Sequence, residues 1–492
     1  MLFASPEFVF AFLPIVLLLY HVSHRVLGGS AGLVLLTLSS FVFYGWWDVP
    51  FLALLIGSIL GNYGVATVLG RRYGSLFLAA AIAANLLVLG YYKYRLFFLD
   101  TIGNLVGEEW GAGTLFIPLA ISFFTFQQIA FLVSVRNGTT SPGRIMDYIF
   151  FVSFFPQLIA GPIVLHREMR DQITARRETH NSAMEWLAIG LVIFSLGLFK
   201  KVVLADPIGV YADIAFIRHL DITMLEAWAG AVAFMLQLYF DFSGYSDMAV
   251  GLGLMFGFRL PANFARPYRQ STMIGFWRAW HITMTRFFMT HIFTPVSLAA
   301  ARRFGRITQP MRFLMTVAWP ILITFAISGL WHGASWSFVM FGVSIAIFLI
   351  VNHLWRLAQL PAPPRFISWP LTMVGMCIAF VYFRSGTLEI ANDYLWRMVD
   401  PAGFVLPPWL SGVGTFLGAP IQPLLLFPSG TDTLQLAFGL LVLGILSLGL
   451  PDPASGPDKV KLNWTTAFAT AFVALLALGQ LDQPQTFIYF QF

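Results

Sequence analysis

Between Arg312 and Arg356 the chain carries no Asp, Glu, Lys or Arg. A single helix through that stretch would run about 65 Å, twice the roughly 30 Å of a bilayer's hydrocarbon core. It must fold back, and Ser328-Gly329-Leu330-Trp331-His332-Gly333-Ala334-Ser335 is where small residues permit a tight turn. His332 sits in the middle of that turn. Histidine is the side chain whose ordinary pKa suits proton transfer near neutrality. Ionisable groups at membrane depth usually face a cavity and do work there. The other reading is a ring that bonds a neighbouring carbonyl and locks the turn.

Two further constellations could do chemistry. In Phe276-Trp277-Arg278-Ala279-Trp280-His281-Ile282-Thr283, helical spacing puts Arg278, His281 and Thr285 on one face, with Trp277 and Trp280 beside it. The competing reading is an interfacial helix anchored at headgroup level by its Trp and Arg side chains. In Phe240-Asp241-Phe242-Ser243-Gly244-Tyr245-Ser246-Asp247, two carboxylates stand inside a long apolar run. They are either functional or paired structural groups.

Other chemistries leave no trace. There is no HExxH, Walker loop, dinucleotide fingerprint or nucleophile elbow. His21 and His24 have no third partner, so no metal site is expected. The one cysteine, Cys377, lies in an apolar run and reads as a buried, inert thiol.

The elements that must hold these residues are membrane helices. Hydrophobic residues make up 58% of the 492 and charged ones only 11%, against about 25% charged in soluble domains. Such a chain needs lipid as part of its solvent. The expected fold is an all-α polytopic bundle of roughly ten to twelve spans of about 20 residues. Apolar runs fall near 8–22, 31–47, 51–70, 75–95, 114–135, 186–204, 224–257, 313–331, 333–355, 366–383, 432–450 and 464–481. The run 146–165 is broken by Pro156 and Gly161-Pro162, and 267–298 carries Arg269, Arg278 and Arg286. Both suit re-entrant or interfacial pieces. No repeat, low-complexity tract or soluble domain interrupts the pattern. One membrane domain over 1–492 is expected, with N-terminal helices to about 110, a core over about 114–400, and C-terminal helices and tail over about 401–492.

The net charge of +6 is no nucleic-acid footprint, because Lys and Arg gather in short loops as topology signals do. The first apolar stretch lacks a basic flank and a cleavage site, so it is expected to remain as a span. Arg25, Arg71-Arg72, Arg136, Arg144 and the segment 166–177 all suit the cytoplasm. Lys459 and Lys461 precede the last span and no cation follows it, which directs the C-terminus outward. Lys93, Arg95 and Lys200-Lys201 do not fit this scheme.

The chain resembles the membrane-bound O-acyltransferase family, in particular its bacterial alginate O-acetyltransferase membrane-subunit branch. The resemblance is carried by Phe155-Pro156-Gln157-Leu158-Ile159-Ala160-Gly161-Pro162-Ile163 and by Gln237-Leu238-Tyr239-Phe240-Asp241-Phe242-Ser243-Gly244-Tyr245-Ser246-Asp247. It continues through Asn263-Phe264 to Trp277-Arg278-Ala279-Trp280-His281, then Gly329-Leu330-Trp331-His332-Gly333, and ends at Phe487-Ile488-Tyr489-Phe490-Gln491-Phe492. It implies a ring of helices around a thin centre, with a funnel from each face and a tunnel between. It implies that His332 is catalytic and His281 catalytic or supporting, with Arg278, Trp277, Trp280, Trp331, Asp241 and Asp247 around them.

The resemblance also implies acetyl-CoA as donor substrate, with no permanently bound cofactor. The acyl group would leave on the outer side of a bacterial inner membrane for a cell-surface polysaccharide, with periplasmic acetyltransferase partners. Moving only the neutral acetyl group avoids drawing CoA phosphates through lipid, where one charge costs about 2.5–3.5 kcal/mol or more. The aromatic ending suggests Tyr489 as a transient acyl acceptor; the alternative is an aromatic tail at the membrane interface. From a different class, a transporter or flippase for a lipid-linked sugar would also place Asp, Arg and His along a substrate path. No inverted repeat of hydropathy supports it.

Overall fold

The structure, a computed structural model, describes residues 1–69, 74–111, 113, 116–178, 184–426, 430–450, 452–482 and 488, without the side chains of 177, 178, 417, 430, 431 and 433. Among these residues eight helices are long and apolar enough to cross a membrane: Phe8–Leu27, Val49–Leu69, Ser75–Val106, Met184–Ile217, Met311–His332, Trp336–Leu357, Arg365–Arg384 and Leu434–Ser455. Gly29–Gly45, Ile121–Arg136 and Trp464–Leu478 are shorter apolar helices. The chain is thus an all-α, multi-pass membrane protein. Arg71 and Arg72, used above as topology signals, lie outside the described residues.

The chain divides into two compact units that interleave along the sequence. One comprises Met1–Phe199, Gly244–Ala262 and Pro453–Gln485. Within it the helix over 184–199 crosses the 244–255 part of the helix Met224–Met255 at backbone distance. A Cβ on Gly190 would lie 2.6 Å from the carbonyl oxygen of Gly251. Small residues at a helix crossing are what close packing in lipid requires. The broken run appears here as helix Ile145–Ser153, one turn Phe155–Leu158, and irregular chain up to helix His166–Glu178. That irregular backbone is buried in protein at Ile159, Ala160, Ile163 and Val164, the shelter that a non-helical stretch needs. Lys93, which fitted no loop, is buried and donates to Ser122 Oγ at 3.3 Å. His21 Nε2 lies 3.2 Å from the carbonyl oxygen of Met255.

The other unit comprises Lys200–Ser243, Asn263–Asp452 and Thr486–Phe492. Its frame is the pair Trp319–His332 and Trp336–Leu357, followed by Arg365–Arg384. A Cβ on Gly342 would lie 1.9 Å from the carbonyl oxygen of Phe325, and one on Gly329 2.1 Å from that of Phe338. Only glycine lets these two backbones touch. Cys377 is buried and sits 3.6 Å from the Met235 sulfur.

Candidate functional site

The charge-free stretch folds back where its small residues allow. His332 is the last helical residue, one step before the turn Gly333-Ala334-Ser335 rather than in its middle. Gly333 is extended, and a Cβ on it would lie 2.1 Å from the Phe338 ring. Glycine there lets Phe338 close under the turn. The His332 ring is 6% exposed and is walled by aromatic edges. Trp331, Phe383 and Phe341 have ring centroids at 4.8, 5.2 and 5.7 Å from it, all near perpendicular.

The second histidine is placed differently from the helical-spacing expectation. The segment is not one helix: Met273–Ala279 ends, Trp280 is extended, and His281 adopts a left-handed conformation (φ 43°, ψ 52°) before Ile282–Phe288 begins. Arg278, His281 and Thr285 therefore do not share a helix face. The break is held by a strand-like neighbour, with the Ala265 amide bonding the Ala279 carbonyl (2.9 Å) and the Ile282 amide the Asn263 carbonyl (2.8 Å). Thr283 Oγ1 donates to Asn263 Oδ1 at 2.6 Å. A non-glycine residue held at positive φ costs about 1–3 kcal/mol and persists where its surroundings over-determine it.

That conformation turns the imidazole inward. His281 is fully buried, with the Phe242 ring at 4.6 Å edge-on and Trp331 at 6.1 Å. Trp331 thus touches both histidines. Trp277 and Trp280 are also buried, which removes the reading of them as headgroup anchors. Trp280 stacks on Phe276 and meets Phe264 and Phe380; Trp277 packs on Phe325 and Phe341. Trp277 Nε1 is buried with no acceptor among the described residues. Arg278 is exposed, so it stands apart from this enclosed group.

The paired carboxylates are separated. Asp241 belongs with the histidines' unit and Asp247, also buried, with the other. Asp241 Oδ1 meets Lys201 Nζ at 3.0 Å, and Lys201 also bonds Asp206. The Lys201 charge that fitted no loop is thus an internal ion-pair partner. Asp206, five residues on in an otherwise apolar run, was the available sequence signal. Asp241 Oδ2 accepts the backbone amide of Ile488 at 3.0 Å. Tyr489, next in the chain, lies outside the described residues. The aromatic walls Phe242, Phe341 and Phe383 drew no attention in the sequence, where an apolar residue in a span carries no mark of its neighbour.

Comparison with known proteins bears on this arrangement. The profile of the MBOAT, membrane-bound O-acyltransferase family, matches residues 141–385, a range that holds both histidines. A peptidoglycan O-acetyltransferase of Helicobacter pylori is 34% identical over 536 residues, covering 100% of this chain and 98% of its own. A probable alginate O-acetylase of Azotobacter vinelandii is 34% identical over 478 residues, 94% of this chain and 88% of its own. A teichoic acid D-alanyltransferase of Streptococcus thermophilus is 25% identical over 252 residues, 50% of this chain and 59% of its own.

Proposed function

The chain belongs to the membrane-bound O-acyltransferase family, and from that membership we propose that it carries an acetyl group from cytoplasmic acetyl-CoA across the bacterial inner membrane for O-acetylation of a cell-surface polysaccharide. The observation that carries this reading is the enclosed imidazole pair, His332 and His281, joined through Trp331. A peptidoglycan O-acetyltransferase and a probable alginate O-acetylase are related along nearly the whole chain.

His332 is the general base. It takes the proton of an acceptor hydroxyl as the oxygen attacks the thioester carbonyl; the C–O bond forms, the C–S bond breaks, and the CoA thiolate leaves with that proton. Such transfer contributes about 10²–10⁴-fold. The aromatic wall keeps bulk water from the ester, which limits hydrolysis of the donor. Trp277 Nε1, a buried donor, is available to the oxyanion formed on that carbonyl. His281 supports the donor. Arg278, exposed, is placed to meet charged groups of the donor.

The acceptor hydroxyl is that of Tyr489, which holds the acetyl group as a phenyl ester until a periplasmic acetyltransferase partner or the polymer takes it. Whether alginate, peptidoglycan or another polymer is served depends on that partner. The test is direct: purified protein is incubated with radiolabelled acetyl-CoA and a polysaccharide acceptor. Label on protein or polymer that depends on His332 supports the proposal. Label that never leaves CoA in wild type overturns it and revives a transport role.

A further inference from the structure

The mechanism gives Asp241 no chemical task, yet the chain holds it, 1% exposed, against a backbone amide 247 residues away. We propose that Asp241 is the docking site for the C-terminal tail: a buried carboxylate, oriented by Lys201, captures the N–H of Ile488 and so positions the segment carrying Tyr489. The chain's own C-terminal backbone is the ligand, its amide donating to the carboxylate.

Lys201 is buried, and two carboxylates, Asp206 and Asp241, converge on its one ammonium. The Asp206 side chain is 24% exposed and can be solvated, whereas that of Asp241 is 2% exposed and depends on protein donors. A carboxylate so placed is stabilised by further N–H donors. Lys201 takes Oδ1, which turns Oδ2 toward Ile488. The Ile488 side chain is itself 4% exposed, so burial and the amide bond act on the same residue.

The same helix uses the device a second time. Glu226 Oε2 caps its own helix through the Thr223 amide at 3.0 Å, while Oε1 accepts the amide of Leu426 at 2.6 Å, 200 residues on. Met224–Met255 thus carries two buried carboxylates that hold remote backbone. Because the contact is to backbone, it fixes the register of Ile488 against the helix without regard to side chains. Asp241 is then a positioning residue for the acyl carrier, and this consequence rests on the function proposed above.

The test uses the full chain in detergent and reads tail release rather than acyl chemistry. A carboxypeptidase is added, and the loss of C-terminal residues is timed by mass spectrometry. Asp241→Ala removes the acceptor and Ile488→Pro removes the donor; each is expected to speed release about tenfold or more, the worth of a hydrogen bond to a charged group. The double variant should be no faster than either single one, because both delete the same bond. Ile488→Val, which keeps the N–H, should match wild type. Additive effects in the double variant, or wild-type release in Ile488→Pro, overturn the proposal. If Asp241→Ala does not fold, Ile488→Pro against Ile488→Val decides alone. Fast, non-additive release alongside full activity of Tyr489→Phe would keep the docking site and dispose of the carrier.

Discussion

The carbonyl oxygen of Phe325 occupies the space where a side chain on Gly342 would begin, 1.9 Å from its ideal Cβ. The helices bearing these residues meet backbone to backbone, and the His332 ring hangs from the end of one of them. Gly342→Ala must push the pair apart. Overpacking of this kind costs about 1–3 kcal/mol, against the gain of about 1 kcal/mol that Gly to Ala brings in an open helix. Thermal unfolding should show a net loss of stability, and acetylation should fall with it. An alanine variant as stable as wild type would mean that the crossing is looser than described.

His332→Ala should abolish acyl transfer, with a loss of about 10²-fold or more, while the protein still folds and inserts. The ring packs edge-on against Trp331, Phe341 and Phe383, so its removal leaves a cavity within an aromatic wall that the neighbouring helices still hold. His332→Gln keeps more of the volume and should be as inactive. Retention of half the wild-type acetylation by the alanine variant would remove the assignment.

At His281 backbone and ring can be separated. Asn tolerates the left-handed conformation and Ala does not, by roughly 1–2 kcal/mol. His281→Asn should therefore fold better than His281→Ala, and both should lose activity because both lose the imidazole. Donor binding should survive in the asparagine variant. Unchanged turnover in either would reduce His281 to a packing residue.

These residues also show what a sequence can and cannot tell. The fold-back at Gly329 to Ser335 was legible because the 43 residues between Arg312 and Arg356, none of them charged, cannot run straight through a bilayer, and small residues mark the turn. The break at His281 was not. Trp-Arg-Ala-Trp-His reads as helix locally, and the left-handed turn is imposed by Asn263 and Ala265, which lie 18 and 16 residues before His281 and pair with its neighbours only in the fold. Lys200-Lys201 looked like a misplaced loop signal for a similar reason. An internal cation can be told from a loop cation only by its partners: Asp206 stands five residues on and was a signal, whereas Asp241 is distant in sequence.

Topology gives a prediction independent of catalysis. Arg170 is exposed on the helix His166–Glu178, and the basic residues around it place that helix in the cytoplasm. A C-terminus beginning after Lys459, Lys461 and one further span should lie outside. Cysteine substitutions at Arg170 and Gln485, the latter outside the described residues, are to be probed with an impermeant thiol reagent in intact spheroplasts. Only the second should label. The opposite pattern would deny the tail its route to an outer funnel.

The sharpest prediction concerns Tyr489. A phenol has an ordinary pKa near 10 and is a poor nucleophile until a base takes its proton. A neutral imidazole in an aromatic enclosure can supply that base, and a phenyl ester is an activated donor for the next hydroxyl. Tyr489→Phe keeps the ring and its preference for the membrane interface and deletes only the oxygen. If Tyr489 carries the acetyl group, transfer to polymer or partner stops in this variant while acetyl-CoA still binds. The C-terminal peptide of wild type, after incubation with donor, should then show an acetyl adduct by mass spectrometry that His332→Ala lacks. Normal acetylation by Tyr489→Phe would leave the tail as an aromatic anchor, and His332 would activate the partner's hydroxyl directly.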